Sequence, residues 1–251
     1  MSTFQQSAAC CKVPPIDPNE VKYTPRGTYE DAAGLITYVT GDRNAKACLI
    51  ILYDIFAFHP NTLRGADILG SEYLVLMPDF FEGKAADWSW YPDDTPEKTE
   101  KLEGFLNGPG NTEKTVEKVT RVQANAQTRF ASVEKWGIAG YCWGGWVSSY
   151  ASIYPTPFSA IAQLHPGFAP QKIASQIRIP LLAICSKDET DGEAQTFMTH
   201  LSPEIAYKHY IRFGDMEHGW LSARGDLKND DVKKAYEKGY ALLLDFFAKY
   251  L

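Results

Sequence analysis

Residues 137–146, "GIAGYCWGGW", set a cysteine between an apolar run and a pair of glycines. Gly140, Cys142 and Gly144 fit the spacing G-x-C-x-G, the thiol form of a nucleophile elbow. That turn carries the nucleophile on a sharp bend from strand to helix. The residues two before and two after it must lack side chains, or they collide across the bend. The apolar run before Cys142 and "WVSSYASIY" (146–154) after it have strand and helix character. A helix N-terminus facing the thiol favours the thiolate, its reactive form. The N–H of Trp143 then becomes one donor for an oxyanion. The chemistry this suggests is acyl transfer through sulfur. The competing reading is a core cysteine in a close strand–helix contact, and the partner residues decide between the two.

A thiol nucleophile needs a base, and the base needs an orienting acid. In an elbow-bearing fold these follow in the order acid, then histidine, each on a loop past a strand's carboxyl end. The run "IPLLAIC" leads into "SKDETD", which puts Asp188 in the first such loop; Asp191 is the alternative, further from the strand end. "AYKHYIRF" leads into "GDMEHGW", which puts His218 in the second. Either aspartate could instead only cap the helix that follows. His200 and His209 fall inside a helix and a strand and read as solvated or structural groups. His59 and His165 follow strands on the same edge and read as pocket walls.

These side chains need a scaffold that brings strand ends together. "ACLIILYDIF" (47–56), "YLVLMPDF" (73–80), "WGIAGYC" (136–142), "FSAIAQLH" (158–165), "IPLLAICSKD" (179–188) and "AYKHYIRFGD" (206–215) read as strands. Several are almost continuously apolar, as strands covered on both faces are. Residues 112–135, 146–154, 194–202 and 229–250 suit helices, the last with Asn229 as N-cap and a broad apolar face. Alternating strands and helices imply right-handed crossovers and a mostly parallel, doubly wound α/β sheet. Residues 81–114, rich in Pro, Gly and Trp, read as a lid-like insertion in one domain spanning 1–251, with 1–20 a peripheral or poorly ordered segment.

Length and composition agree. A chain of 251 residues buries enough apolar surface to need neither disulfides nor metal. Its net charge of −6 argues against nucleic acid or an anionic membrane as partner. No run reaches the roughly 18 apolar residues of a membrane span, and the start lacks a signal-peptide pattern, so a cytoplasmic protein is expected. Of the five cysteines, Cys48 and Cys185 sit in apolar strand-like runs and read as packed thiols. Cys10 and Cys11 lie in a polar tail. No C-x-x-C or H-x-x-x-H spacing suggests a zinc site.

With these residues in hand, the sequence resembles the dienelactone hydrolase family of the α/β-hydrolase fold, especially its fungal members. "YDIFAFHPNT" (53–62), "MPDFFEGK" (77–84), "GYCWGG" (140–145), "SKD" (186–188) and "HGW" (218–220) carry the resemblance over roughly residues 25–251. It implies a triad of Cys142, His218 and Asp188 that opens enol-lactones or related esters through a thioacyl intermediate, with no cofactor or metal. It also implies a second oxyanion donor at the N–H of Ile55 and a thiol-activating carboxylate at Asp54. The bacterial enzymes carry a glutamate there, and one methylene less draws the carboxylate back by about 1.5 Å. The family grips a substrate carboxylate with two arginines. Here Lys84 stands in one region, unable to give a planar two-pronged grip, and Arg224 follows the histidine two residues later than in the bacterial pattern. These departures favour another small-molecule ester or lactone over dienelactone itself, with Trp88, Trp90 and Tyr91 as an aromatic roof. A thioesterase, a polyketide-type acyl hydrolase of secondary metabolism or a non-catalytic binding protein remain as alternatives. Monomer and homodimer are both compatible with the sequence.

Overall fold

The structure, a computed structural model, describes residues 14–251; Cys10, Cys11 and the start of the expected peripheral segment lie outside the described residues. Among the described residues, eight strands form one sheet: β1 (Thr28–Ala32), β2 (Leu35–Thr40), β3 (Ala47–Leu52), β4 (Leu74–Pro78), β5 (Lys135–Tyr141), β6 (Ala160–Leu164), β7 (Leu181–Cys185) and β8 (Lys208–Arg212). Their spatial order is β1-β2-β4-β3-β5-β6-β7-β8. Strand β2 runs antiparallel to both β1 and β4, and every other pairing is parallel. Every residue of β3, β4, β6 and β7 is buried, which is why those runs lack alternation. The edge strand β8 is only partly buried and carries Lys, His and Arg.

Among the described residues, seven α-helices flank the sheet: α1 (Pro60–Leu69), α2 (Pro96–Asn107), α3 (Thr112–Arg129), α4 (Trp143–Ala151), α5 (Gln171–Ala174), α6 (Asp191–His200) and α7 (Asp230–Tyr250). The closing helix starts as the sequence suggests: the Asn229 side chain accepts from Asp231 and Val232 N–H, a cap worth about 1 kcal/mol. Among the described residues, no helix is long and apolar enough to cross a membrane.

Several parts depart from the sequence reading, which also lacks helices α1 and α5. The hairpin β1–β2 is added to the expected strands; its two-residue turn uses Ala33 and Gly34, both at positive φ, where a hairpin more often shows Asn-Gly. Residues 81–114, read as a lid-like insertion, contain a short 3-10 turn (Trp88–Trp90) and the twelve-residue helix α2. Of the N-terminal segment, residues 14–20 are docked: Ile16 N–H donates to Ala223 O at 3.0 Å, and Ile16 O accepts from His59 Nε2, also at 3.0 Å.

The chain winds from β3 to β4 on one side and then returns to place β5 on the other side of β3. This reversal opens a crevice at the carboxyl ends of β3 and β5, the place where doubly wound sheets bind ligands. The loop after β3 holds Asp54 and Ile55, and the turn after β5 holds Cys142.

Candidate active site

Cys142 sits between β5 and α4 with φ 52° and ψ −113°, a strained conformation for a residue bearing a side chain. The flanking glycines make the bend possible. A Cβ on Gly144 would lie 1.9 Å from Leu52 O, and one on Gly140 would lie 2.4 Å from Gly144 O. Both obstacles are backbone and cannot move aside. The elbow is fixed from outside as well, because Cys142 N–H donates to Leu164 O at 3.0 Å and Cys142 O accepts from Gly167 N–H at 3.2 Å. Trp143 is the first residue of α4, so its N–H is one of the donors that no carbonyl within the helix can reach.

His218 lies in the loop after β8 and is buried. Its Nδ1 is 2.6 Å from Glu189 Oε1. An ionised carboxylate only accepts, so Nδ1 carries the proton and Nε2 is left as the basic nitrogen. Burial pushes the Glu189 carboxyl up, but the facing His218 and hydrogen bonds from His218 and Ser186 outweigh it and hold the group below its ordinary value. Glu189 Oε2 accepts from Ser186 N–H at 2.7 Å, which locks the carboxylate.

The acid on the imidazole is therefore Glu189 and not Asp188, which corrects the expectation from chain order. Asp188 instead braces the histidine loop, its Oδ2 accepting from the backbone N–H of His218 at 2.8 Å. Asp191 turns outward to Arg212 Nη1 at 3.1 Å. After Cys185 the chain folds back tightly enough to aim the longer side chain of Glu189 inward.

Cys142, His218, Asp54, Ile55, Phe56, Gly219 and Arg224 line one cavity of about 10 Å³, the space of roughly one water. Larger cavities of about 520, 320 and 220 Å³ lie elsewhere, the second sharing only Phe56 with this one. Asp54 is held by three donors: Phe56 N–H at 2.9 Å, Ser222 Oγ at 2.6 Å and Ala223 N–H at 3.3 Å. It thereby ties the turn after β3 to the loop that carries His218.

The roof differs from the expected trio of aromatics. Tyr91 meets Phe56 edge to face at 5.4 Å, and the Arg224 guanidinium lies 5.8 and 5.6 Å over the Phe56 and Tyr91 rings. Phe56 escaped the sequence reading, although it follows directly on Ile55. Trp88 is more than half exposed and Lys84 is exposed; neither lines the thiol cavity. His59 caps α1, accepting from Asn61 N–H through its side chain.

His165 stands 5.1 Å from His218, ring centroid to ring centroid, and is fully buried. Burial first, then His218 and Arg224, push its imidazole well below the usual range, so it stays neutral. Cys48 and Cys185 are buried thiols whose pKa burial raises, which makes them poor nucleophiles.

The model of the dienelactone hydrolase family matches residues 35–251. This chain belongs to the dienelactone hydrolase family. It is a hydrolase of the α/β-hydrolase fold. An uncharacterized AIM2 family protein of Schizosaccharomyces pombe is 32% identical to it over 234 residues, 90% of this chain and 92% of that one. A carboxymethylenebutenolidase homolog of Homo sapiens is 22% identical over 220 residues, 83% of this chain and 84% of that one. Among solved structures, a putative dienelactone hydrolase from Klebsiella pneumoniae superposes with a TM-score of 0.68 at 15% identity, covering 89% of this chain and 98% of that one.

Proposed function

We propose that this hydrolase opens lactones or activated esters with Cys142 as nucleophile, His218 as base and Glu189 as orienting acid. The observation that carries the reading is the buried Glu189–His218 pair, whose basic nitrogen belongs to the ring lining the same small cavity as the strained Cys142. Cys142 gives its proton to His218 Nε2, and the thiolate attacks the substrate carbonyl. The oxyanion forms against the N–H groups of Ile55 and Trp143, each donor of this kind being worth about 3 kcal/mol. As the tetrahedral intermediate collapses, the carbon–oxygen bond breaks and His218 returns its proton to the departing oxygen. His218 next takes a proton from water, whose oxygen attacks the thioester. Collapse releases the carboxylic acid and restores the thiol.

A thiolate is itself a good leaving group, so this site suits substrates whose alcohol side departs at least as readily. An enol-lactone qualifies, because its ring oxygen leaves as a stabilised enolate. A thioester is the second class, since the attacking and departing sulfurs are then matched. In this reading Asp54 holds the oxyanion turn in place, while His218 takes the thiol proton.

The test is a screen of enol-lactones, aryl esters and acyl thioesters against wild type and Cys142→Ala. Hydrolysis of one class by wild type, reduced at least about a thousand-fold in the variant, supports the reading and selects the class. No Cys142-dependent turnover of any class leaves a binding protein on a hydrolase fold.

A further inference from the structure

The cavity of about 320 Å³ shares a wall with the thiol cavity, because Phe56 lines both. Ala57, Phe58, Ala85, Ala86 and Trp88 form much of the remainder. Among the described residues, its lining contains no lysine or arginine. The carboxylate in it, Asp79, is already engaged, accepting from Gly83 N–H at 2.7 Å and from Tyr53 OH at 3.4 Å. Trp88 leaves 54% of its surface exposed at the rim, apolar area that gains from being covered.

The thiol cavity has room for little more than a water, so any ester must displace part of its wall. The walls differ in how firmly they are held. Asp54 has three hydrogen-bond donors, and Gly219 is backbone with a positive φ. The Phe56 side chain cannot hydrogen-bond; it is half-buried, with ring and cation contacts to Tyr91 and Arg224. Its side chain can therefore move without breaking a hydrogen bond, and it is the partition that the two cavities share. Its neighbour Ile55 stays fixed: Ile55 O accepts from Ala86 N–H at 3.0 Å.

We propose that this cleft receives an uncharged, flat apolar arm of the substrate, an aryl or alkenyl group, with Phe56 as the movable partition between arm and reacting carbonyl. The proposal rests on the reading of Cys142 as nucleophile. An anionic arm is disfavoured, because it would meet Asp79 with no lysine or arginine in the lining among the described residues.

Two substrate pairs test it: para-nitrophenyl hydrocinnamate against the acetate for an arm on the acyl side, and β-naphthyl acetate against phenyl acetate for the alcohol side. Wild type is expected to favour the larger member of at least one pair by about ten-fold in kcat/KM, mostly through KM. The anionic para-nitrophenyl hemisuccinate gains nothing over the acetate. Ala85→Trp, which fills the cleft, and Trp88→Ala, which opens its rim, each lower the preference at least about three-fold. Equal rates within both pairs, or a preference that neither variant alters, overturn the proposal. Calorimetric binding of β-naphthol to Cys142→Ala, weakened in Cys142→Ala/Ala85→Trp, reads the cleft apart from the chemistry. Binding without Cys142-dependent turnover sinks the nucleophile reading alone; turnover of small esters without preference or binding sinks the cleft alone.

Discussion

Glu189 Oε1 lies 2.6 Å from His218 Nδ1, while Asp188, one residue earlier, accepts the backbone N–H of the same histidine at 2.8 Å. Two neighbouring carboxylates thus serve one histidine in different ways: one orients the ring, and the other holds the loop.

That division has a kinetic consequence. Glu189→Gln keeps the size but cannot hold the imidazole tautomer or stabilise the imidazolium, so kcat/KM is expected to fall by about a hundred-fold or more. The acidic limb of its pH–rate profile should also move to lower pH, because losing a negative neighbour disfavours the protonated ring. Asp188→Asn, which leaves the ring contact intact, is expected to cost less than about ten-fold, the scale of one hydrogen bond. Equal losses in the two variants would contradict the assignment.

The elbow should also show itself in stability. Gly144→Ala drives a Cβ to 1.9 Å from Leu52 O, and forced backbone displacement in a packed core is expected to cost about 3 kcal/mol or more. Gly104→Ala, in the exposed middle of α2 with nothing within 4 Å of the new Cβ, is expected to add about 0.5–1 kcal/mol. Urea unfolding of both variants checks the contrast, and a harmless Gly144→Ala would mean that the elbow is not under this constraint.

Two histidines set the pH dependence of folding. His165 and His59 both sit below the ordinary imidazole value of 6.5, in each case first because of burial. As pH falls through that value the unfolded chain takes up protons that the folded protein does not. Stability is therefore fully present above about pH 6.5 and declines below it, until the folded-state values are reached, by up to about 1.4 kcal/mol per pH unit for each group. Glu189, held below the usual carboxylate value, adds a separate loss further into acid. Denaturant titrations from about pH 7.5 to 5 should show a shallower decline in His165→Asn than in wild type. Parallel slopes would contradict a neutral buried imidazole.

Much of this was legible in the sequence because it depends on chain order. Gly140, Cys142 and Gly144 declare a bend that only those residue types allow, and His218 follows the last strand-like run. The continuous apolar runs foretold the parallel sheet. What was not legible depends on where side chains point. Asp188, Glu189 and Asp191 share one loop, and spacing cannot say which of them the fold-back after Cys185 aims inward. The part Asp54 plays, which the resemblance gives as thiol activation, depends on its partners, two of which are donors 168 and 169 residues away. The hairpin β1–β2 was hidden by an Ala-Gly turn. Helix α2 was hidden by the prolines, glycines and tryptophans around it.

The most direct test of the central claim is alkylation by iodoacetamide near neutral pH, with each cysteine followed by peptide mass spectrometry alongside hydrolysis of para-nitrophenyl acetate. Cys142 is expected to label far faster than the buried Cys48 and Cys185, with activity falling in proportion to its modification, whatever happens at Cys10 and Cys11. Labelling of Cys142 no faster than of Cys48 and Cys185, or activity that survives its complete modification, would contradict the account.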